Sequence, residues 1–304
     1  MPELPEVETV ARGLQGLVGK RITRVEVRRP KLVSVGPKTL SPKRQHSQLH
    51  TRAFQKALVD RRIAKVARRA KLIQFQLSGG WWILVHLKMA GQIVVQQKGQ
   101  RRLLVRLLNS PHAQLEKMPS KHTHIIIRFT DGTLLYYNDL RLFGTWRAVR
   151  SADLSRVADL AAYGPEPLAR NFRAKVLQAA LRRRPNMPIK QALTDQTLLA
   201  GVGNIYADET LFAARLKPTR KVKSLKLADW SRLFTGLQKV LRHAIKTHGS
   251  SVGEFIRVDG SVGTYGRYHK VYDRKGKSCP RCGTPIRRMV LGGRGTHYCP
   301  RCQR

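Results

Sequence analysis

All four cysteines of this 304-residue chain lie within its last 26 residues. They form two pairs, Cys279-x2-Cys282 and Cys299-x2-Cys302, with sixteen residues between the pairs. This spacing is typical of a structural zinc site in which each pair lies on a tight turn. The residues over 286–298 can form a β-hairpin between the pairs. Because so short a tail cannot bury enough apolar area to fold alone, we expect one structural zinc ion and no organic cofactor.

The chain carries 59 Lys and Arg against 18 Asp and Glu, which gives a formal net charge of +41. This excess of positive charge predicts a polyanionic partner, and nucleic acid fits it better than an anionic membrane. Disorder is excluded as the explanation, because 41% of the residues are hydrophobic and can build a core. No apolar run approaches the roughly 20 residues of a membrane span.

Two further features predict a cytoplasmic protein. Glu3, Glu6 and Glu8 occupy the place of the basic stretch that begins a signal peptide, so no signal peptide is predicted. The spacing of the cysteines also indicates a metal site in a reducing compartment rather than a disulfide framework.

Hydrophobic periodicity divides the chain near residue 150. Apolar residues recur at helical spacing over 4–18, and Gly19 is a plausible end for that helix. From about 20 to 148 the period changes to two, which predicts short strands joined by turns in an antiparallel sandwich or barrel. Two polar, basic stretches, 34–52 and 97–123, break this pattern and are predicted as loops or mobile insertions. The predicted strands are 22–27, 72–77, 82–87, 93–95, 125–129 and 134–137.

The second half of the chain has a helical pattern. It follows a connection over 151–167 that contains a short helix, and its predicted helices cover 172–184, 204–214 and 225–247. The tail from 260 returns to strand and turn character. The chain is therefore predicted to be α+β, with strands first, helices next and a metal-bound hairpin last.

Three of the chain's 18 acidic residues lie among its first eight residues. One explanation is structural, because glutamate near the start of a helix interacts favourably with the helix dipole. The other explanation uses Pro2, which becomes the terminal residue once Met1 is removed. A terminal amine is more often neutral at pH 7 than a lysine. It can then attack an electrophilic sugar carbon, with Glu3 moving the proton.

Several short motifs occur in a fixed order from one end of the chain to the other. The first is MPELPEVET at 1–9, and the last is the four-cysteine hairpin. The motifs between them are RAK at 69–71, HLKMAG at 86–91, DLRLFG at 139–144, GPEPL at 164–168, IK at 189–190 and GVGNIYA at 201–207. In this order the chain resembles the formamidopyrimidine-DNA glycosylase family, bacterial enzymes that excise oxidised purines. The resemblance covers nearly the whole chain and is weakest over 34–52 and 97–121.

The resemblance implies an N-terminal antiparallel β-sandwich with a leading helix, a helical helix–two-turn–helix domain and a C-terminal β-hairpin zinc finger. The implied domains are a catalytic domain over 1–150, a linker over 151–167, a DNA-binding domain over 168–260, and a lid loop with the finger over 261–304. The implied partner is double-stranded DNA with oxidised bases or abasic sites, bound by a monomer at the bacterial nucleoid. The damaged nucleotide is flipped out of the stack, because chemistry at C1′ cannot proceed inside it.

By the same resemblance, Pro2 is the nucleophile that attacks C1′ of the damaged nucleotide. The base leaves through an oxocarbenium-like state, and the covalent iminium undergoes β- and then δ-elimination, which cuts the strand on both sides. Glu3 is the general acid that helps to open the sugar ring, and Glu6 is a second acid that orients groups in the site. Lys71 contacts phosphate and donates a proton, and Arg294 grips the phosphates that flank the lesion.

Flipping leaves a hole in the duplex, and the resemblance implies that Met89, Arg141 and Phe143 fill it. Arg141 faces the orphaned cytosine, so we expect 8-oxoguanine to be excised faster opposite cytosine than opposite adenine. Leu140 and Leu142 stand where the family often has a proline and a basic residue, so phosphate contact there is expected to be weaker. The other implied DNA-binding residues are Lys190, Asn204, which begins a helix that can hold a phosphate, and His122.

Three other functions fit part of the sequence. The endonuclease VIII type, which removes oxidised pyrimidines, shares Pro2, Glu3 and the finger, but the complete trio and the GPEPL motif favour the purine type. A non-catalytic zinc-finger DNA-binding protein would need the charge and the finger, but it has no use for Pro2 and Glu3. A ribosomal or RNA-packing protein would account for the charge and leave the order of the motifs unexplained.

Overall fold

The chain folds into two compact units. A computed structural model describes residues 1–38, 48–100, 104–106, 115–253 and 255–304. One unit comprises Met1–Ala161 and His248–Thr264, and the other comprises Ala162–Thr247 and Tyr265–Arg304. Along the sequence, the second unit therefore interrupts the first. Within the described ranges, every helix is too short or too polar to cross a bilayer. The division into four domains stays a prediction. Those domains were defined by their roles, whereas the two units are defined by how densely their residues pack.

The first unit contains short strands and three described helices. The helices are α1 (Leu4–Gly13), α2 (Gln48–Leu58) and α3 (Ala158–Ala162). The described strands are β1 (Ile22–Val27), β2 (Val33–Val35), β3 (Ile63–Arg69), β4 (Leu72–Leu77), β5 (Trp81–His86), β6 (Gly91–Gln96), β7 (Leu104–Arg106), β8 (Leu115–Lys117), β9 (Thr123–Phe129), β10 (Leu134–Asp139) and β11 (Thr145–Arg150).

Two sheets enclose the main hydrophobic core of this unit. One sheet has the strand order β1-β9-β10-β6 and the other has the order β2-β11-β5-β4-β3. Neighbouring strands are antiparallel except β2, which runs parallel to β11. Aromatic rings from both sheets meet in the core. The centre of the Trp146 ring lies 5.4 Å from that of Tyr137 and 6.2 Å from that of Phe75. The predicted antiparallel β-sandwich is confirmed.

Helix α1 packs on this core as the leading helix of the sandwich. Val7 and Val10 form part of its buried stripe, and Pro5 lies in its first turn, where the missing N–H has no helical partner. The helix ends at Gly13 and is followed by a short 3₁₀ turn, Gln15–Leu17. The single helix predicted over 4–18 is therefore two consecutive pieces.

The prediction of loops over 34–52 and 97–123 is wrong at 48–52, 104–106 and 115–117, whereas 36–38, 97–100 and 118–122 are turns and loops as predicted. Helix α2 begins at Gln48 and buries Phe54, Ala57 and Leu58 against the sandwich core. Its exposed, basic face hid this helical pattern. Strands β7 and β8 pair as an antiparallel hairpin within the second stretch. Residues 39–47, 101–103 and 107–114 lie outside the described part of the chain.

The second unit contains four described helices and the C-terminal hairpin. These elements are α4 (Ala174–Arg182), α5 (Ile189–Thr194), α6 (Asn204–Ala214), α7 (Leu227–Lys246), β12 (Arg287–Leu291) and β13 (Arg294–Tyr298). Helix α6 has the predicted bounds and is buried on nearly every face, because apolar residues occur on all sides of it. The long helix α7 is amphipathic and packs Leu233, Leu237 and Leu241 inward. The β12–β13 pairing confirms the predicted hairpin.

Candidate active site

The start of α1 brings Pro2, Glu3 and Glu6 together, and all three are buried. The backbone N–H of Glu3 donates to Glu6 Oε2 at 2.9 Å, in the manner of a capping box. The other carboxylate oxygen, Oε1, accepts from the backbone N–H of Ser250 at 2.7 Å. Glu6 therefore ties the residue that follows Pro2 to the His248–Thr264 segment of the same unit.

Gly249 lets the backbone pass close to this carboxylate. Its φ is +81°, and a Cβ added there would lie 2.8 Å from Glu6 Oε1. A larger residue would therefore displace the hydrogen bond that Ser250 donates. Sequence reasoning missed this contact, because its partners are 244 residues apart. The one sequence signal for this contact was Gly249, because a glycine can mark a close approach of the backbone to another group.

Lys71 lies in the turn between β3 and β4 and is buried. Ala70 has a φ of +53° in that tight turn. Leu72 pairs with His86 at the end of β5, which brings the imidazole near Lys71. Burial first, and then the charges of Lys88 and Lys71, lower the pKa of His86 to about 3. The neutral ring accepts at Nδ1 from the backbone N–H of Lys88 at 2.9 Å.

Two adjacent turns carry the predicted void-filling trio. Met89 lies in the turn between β5 and β6, and Arg141 and Phe143 lie in the turn between β10 and β11. The turns are neighbours because β5 pairs with β11, and β6 with β10, up to the residues that flank them. Met89 is 41% exposed and Phe143 is 52% exposed. The guanidinium carbon of Arg141 lies 5.1 Å from the centre of the Phe143 ring.

Asp139 fixes the shape of the turn that carries Arg141. Its Oδ1 accepts from the backbone N–H groups of Arg141 and Leu142, both at 3.0 Å. Its Oδ2 accepts from the Gly144 N–H at 2.8 Å and from the Tyr137 hydroxyl at 3.1 Å. Burial, and then the Asp139 carboxylate, raises the pKa of Tyr137, so the phenol stays protonated and donates. This bonding holds Leu142 at a φ of +56°.

His122 lies beside the same turn. Its carbonyl accepts from the Asp139 N–H at 3.1 Å, at the point where β10 ends. Its own N–H donates to Ser120 Oγ at 3.1 Å, and the residue is half-buried. The structure thus brings His122 to the turn of Arg141, within the first unit.

In the second unit, Lys190 is bound inside a polar network. It is only 2% exposed, and its Nζ lies 2.7 Å from Asp208 Oδ1. The same ammonium donates to the Gly295 carbonyl at 3.1 Å and to Thr296 Oγ1 at 2.8 Å. Asn204 Nδ2 donates to that Gly295 carbonyl at 3.0 Å. Both side chains therefore hold strand β13 of the hairpin.

Arg294 is exposed at the tip of the hairpin. The two tip glycines, Gly292 and Gly293, have φ values of +58° and +72°, as a tight hairpin turn requires. Arg294 and Lys190 line one small cavity of about 160 Å³ in this unit. Lys190, Asn204 and Arg294 are therefore neighbours, whereas Pro2, Glu3 and Lys71 belong to the first unit.

The four cysteines form the predicted metal centre. Their Sγ atoms all lie within 4.8 Å of one another, with 4.0 Å between Cys279 and Cys302 and 3.5 Å between Cys282 and Cys299. Tetrahedral zinc with Zn–S bonds of about 2.3 Å needs sulfurs about 3.8 Å apart. The thiol set therefore fits one structural zinc ion, and four protein ligands leave no position open for substrate.

Two consecutive carboxylates of α6 fasten the tail to the helices. Asp208 accepts from the His297 N–H at 2.8 Å, in addition to its ion pair with the buried lysine. Glu209 accepts from the N–H groups of three consecutive residues, 270–272, at 2.9 to 3.0 Å. Burial raises the pKa of Glu209 despite these bonds. Two acids in a mostly apolar, buried helix need partners, so their positions could have predicted a contact with another segment. Sequence reasoning missed this signal.

Comparisons with known proteins agree along the whole chain. The model of the formamidopyrimidine-DNA glycosylase N-terminal domain matches residues 1–146, and that of the formamidopyrimidine-DNA glycosylase H2TH domain matches 163–255. The zinc finger found in FPG and IleRS matches 276–304. The formamidopyrimidine-DNA glycosylases of Pelotomaculum thermopropionicum and Streptococcus pneumoniae are 38% and 36% identical in sequence to this chain. Each match covers 100% of this chain and 99% of the relative.

Solved structures give the same result. The MutM (Fpg) protein from Thermus thermophilus is 36% identical, with a TM-score of 0.79 over 99% of this chain and 98% of that chain. Lactococcus lactis Fpg in complex with DNA that contains N7-benzyl-Fapy-dG is 31% identical, with a TM-score of 0.81 over 100% of both chains.

Proposed function

The chain belongs to the formamidopyrimidine-DNA glycosylase family, and on that basis we propose which of its residues perform each step of the reaction. The protein is a DNA glycosylase of base excision repair that removes oxidised purines and cleaves the abasic site it creates. The alternative specificity for oxidised pyrimidines is not favoured, since the named relatives are formamidopyrimidine-DNA glycosylases. Its place is the cytoplasm, at the nucleoid, where genomic DNA is found and thiols stay reduced.

Pro2 is the nucleophile of this proposal, after removal of Met1. The lone pair of its secondary amine forms a bond to C1′ while the bond from C1′ to the base breaks, and the proton released by the amine goes to the departing base. Glu3 then donates a proton to the ring oxygen as the sugar opens, which leaves an iminium between Pro2 and C1′. Loss of a C2′ proton expels the 3′ phosphate, and a second elimination expels the 5′ phosphate. The single observation that carries this assignment is the buried Pro2–Glu3–Glu6 cluster at the start of α1.

Glu6 acts as a positioning residue in this scheme. Its carboxylate takes one backbone N–H from Glu3 and one from Ser250, so it fixes the direction in which the residue before Glu3 points. Lys71 supplies positive charge to a phosphate and a proton during elimination. The neutral imidazole of His86 beside it adds no competing charge.

Met89, Arg141 and Phe143 form the proposed wedge. Their support is the exposure of two large apolar side chains on adjacent turns, together with an arginine that packs on one of them. Lys190 and Asn204 act through the hairpin that they hold, because both bond the Gly295 carbonyl next to Arg294. Direct DNA contact by Lys190, Asn204 or His122 stays a prediction.

Borohydride trapping on abasic DNA tests the nucleophile. A Pro2→Gly protein, and a protein shown by mass to retain Met1, should bind the DNA and give no covalent adduct. Pro5→Gly is the matched control, because it changes the other proline of the same turn and leaves the terminal amine intact, so it should still be trapped. Normal trapping of the Met1-retaining protein would refute the assignment. A non-catalytic DNA-binding protein would give no adduct in any form.

A further inference from the structure

A large cavity in the second unit is lined by arginine. Its volume is about 750 Å³, and two of the zinc-binding cysteines, Cys282 and Cys302, form part of its wall. Among the described residues that line it there is no aspartate or glutamate. The arginines are Arg215, Arg220, Arg232, Arg281, Arg301 and Arg304.

A second cavity, of about 670 Å³, lies beside the first, and Arg232 and Arg281 line both. Aromatic rings line this second cavity. Arg281 lies 4.4 Å above the Phe212 ring, and the rings of His243 and Tyr268 are 4.7 Å apart. Tyr268 is 43% exposed. The two adjacent cavities thus place guanidinium groups next to accessible aromatic faces.

Charge neutralisation inside the protein does not account for six arginines. Asp229 accepts from Arg220 and Arg232 and compensates a single charge. A zinc ion with four thiolates carries a formal charge of about −2, and two of those thiolates border the cavity. In the second cavity, Glu209 offsets one further charge, but Lys239 and Lys270 line it as well. Positive charge therefore remains in excess after all of these groups are counted. Like charges held together destabilise a fold, so a structural role alone gives no reason for this arrangement.

We propose that the two adjacent cavities together bind single-stranded DNA at a site separate from the one that holds the lesion. Phosphates lie against the arginines, because a guanidinium donates two parallel hydrogen bonds to phosphate oxygens. A base stacks on the ring of Tyr268, as in other basic grooves that follow a single strand. No lining residue is shared with the small cavity of Arg294 and Lys190. The site goes beyond the excision reaction and does not depend on Pro2.

The test uses the zinc-loaded full chain saturated with duplex that contains a stable abasic analogue. A labelled oligothymidylate of about eight nucleotides is then added, and its binding is followed by fluorescence anisotropy. The strand should bind without releasing the duplex. Release of the duplex in proportion to strand binding would overturn the proposal, because it would mean that both use one site.

Charge-removing variants locate the site. In Arg215→Gln with Arg301→Gln, single-strand affinity should fall at least about tenfold, and the log–log salt slope should become shallower by about 1.4, or 0.7 for each lost phosphate contact. The matched control, Arg170→Gln with Arg242→Gln, removes the same charge from exposed positions of the same unit and should bind like the parent. Equal losses in the two proteins would overturn the proposal.

Tyr268→Ala tests the base. Loss of one stacked base should lower single-strand affinity by at least about fivefold and leave the salt slope unchanged. The same variant should keep its affinity for a competing inorganic polyphosphate. Unchanged single-strand affinity in this variant, or tighter binding of a duplex of equal length at this site, would refute the proposed ligand. Excision of a lesion base should be normal in all these variants.

Discussion

Replacement of Asp139 by asparagine isolates the carboxylate that shapes the wedge turn. The wild-type side chain is fully buried and accepts three backbone N–H groups and one phenol. In Asp139→Asn, one oxygen can still serve Arg141 and Leu142. The amide nitrogen then faces the Gly144 N–H, which loses its acceptor, whereas the Tyr137 hydroxyl can rotate and accept.

The magnitude follows from this bonding. A buried N–H without an acceptor costs about 1–3 kcal/mol, and each of the two retained bonds weakens by about 1 kcal/mol when its acceptor loses its charge. The total is about 3–5 kcal/mol, concentrated on a turn of a few residues. The turn should rearrange, and Leu142 should leave its φ of +56°. Arg141 and Phe143 then lose their fixed positions, so excision opposite cytosine should fall at least about tenfold.

Two measurements check this prediction. Thermal unfolding should show a midpoint lower by roughly 10 °C, and single-turnover excision of 8-oxoguanine should lose its preference for cytosine over adenine. Tyr137→Phe is the matched control, because it removes one donor from the same carboxylate and leaves the Gly144 N–H bonded. It should lower the free energy of unfolding by only about 1 kcal/mol. If Asp139→Asn behaves like Tyr137→Phe in stability and in partner preference, the carboxylate does not hold the wedge.

Three shorter predictions concern the metal, pH and salt. Cys299→Ser, or chelation of zinc, should unfold the hairpin and abolish lesion-specific binding in gel shifts, while circular dichroism keeps the strand signal of the sandwich. Because the pKa of His86 is about 3 when folded, the unfolded chain gains an extra proton below about pH 6.5. Denaturant unfolding should therefore show that the free energy of unfolding decreases as pH falls from 6.5 towards 3. Between pH 7 and pH 5, this decrease should be about 2 kcal/mol smaller in His86→Gln than in the parent protein. Raising salt from about 50 to 200 mM should weaken undamaged-duplex binding by 10³ to 10⁵, and a slope shallower than about −3 would contradict contact with six to ten phosphates.

Patterns that depend on near neighbours predicted the structure well. Helix α6 has the expected bounds, because the glycine turn at 201–203 precedes it and good helix-forming residues follow as far as Ala214. The finger followed from cysteine spacing alone, since a metal fixes the distance between its ligands. Strand alternation gave the sandwich. Strand β3 was missed because its register shifts between Ile63 and Lys65, so its buried residues, Ile63 and Val66, are three apart and do not show the period of two.

Features that depend on distant partners could not be read from the sequence. The position of Glu6 suggested helix capping or catalysis, but its bond to Ser250 exists only once the His248–Thr264 segment has packed into the first unit. The burial of Lys190 has the same origin, because lysine is usually exposed and only the fold brings Asp208 to it. Asp139 stood in a recognised motif, yet nothing local indicated that one carboxylate collects four donors.

The discontinuous first unit has a consequence for biosynthesis. The ribosome must make residues 162–247 before it supplies the His248–Thr264 segment that completes the first unit. At 5–20 residues per second, this interval lasts roughly 4–17 s. During that time Ser250 has not yet been made, so it cannot donate a hydrogen bond to Glu6. The nascent amino terminus is accessible to the peptidase that would remove Met1. Translation order therefore allows Met1 to be removed, and Pro2, the proposed nucleophile, to become the terminal residue, before Ser250 bonds to Glu6.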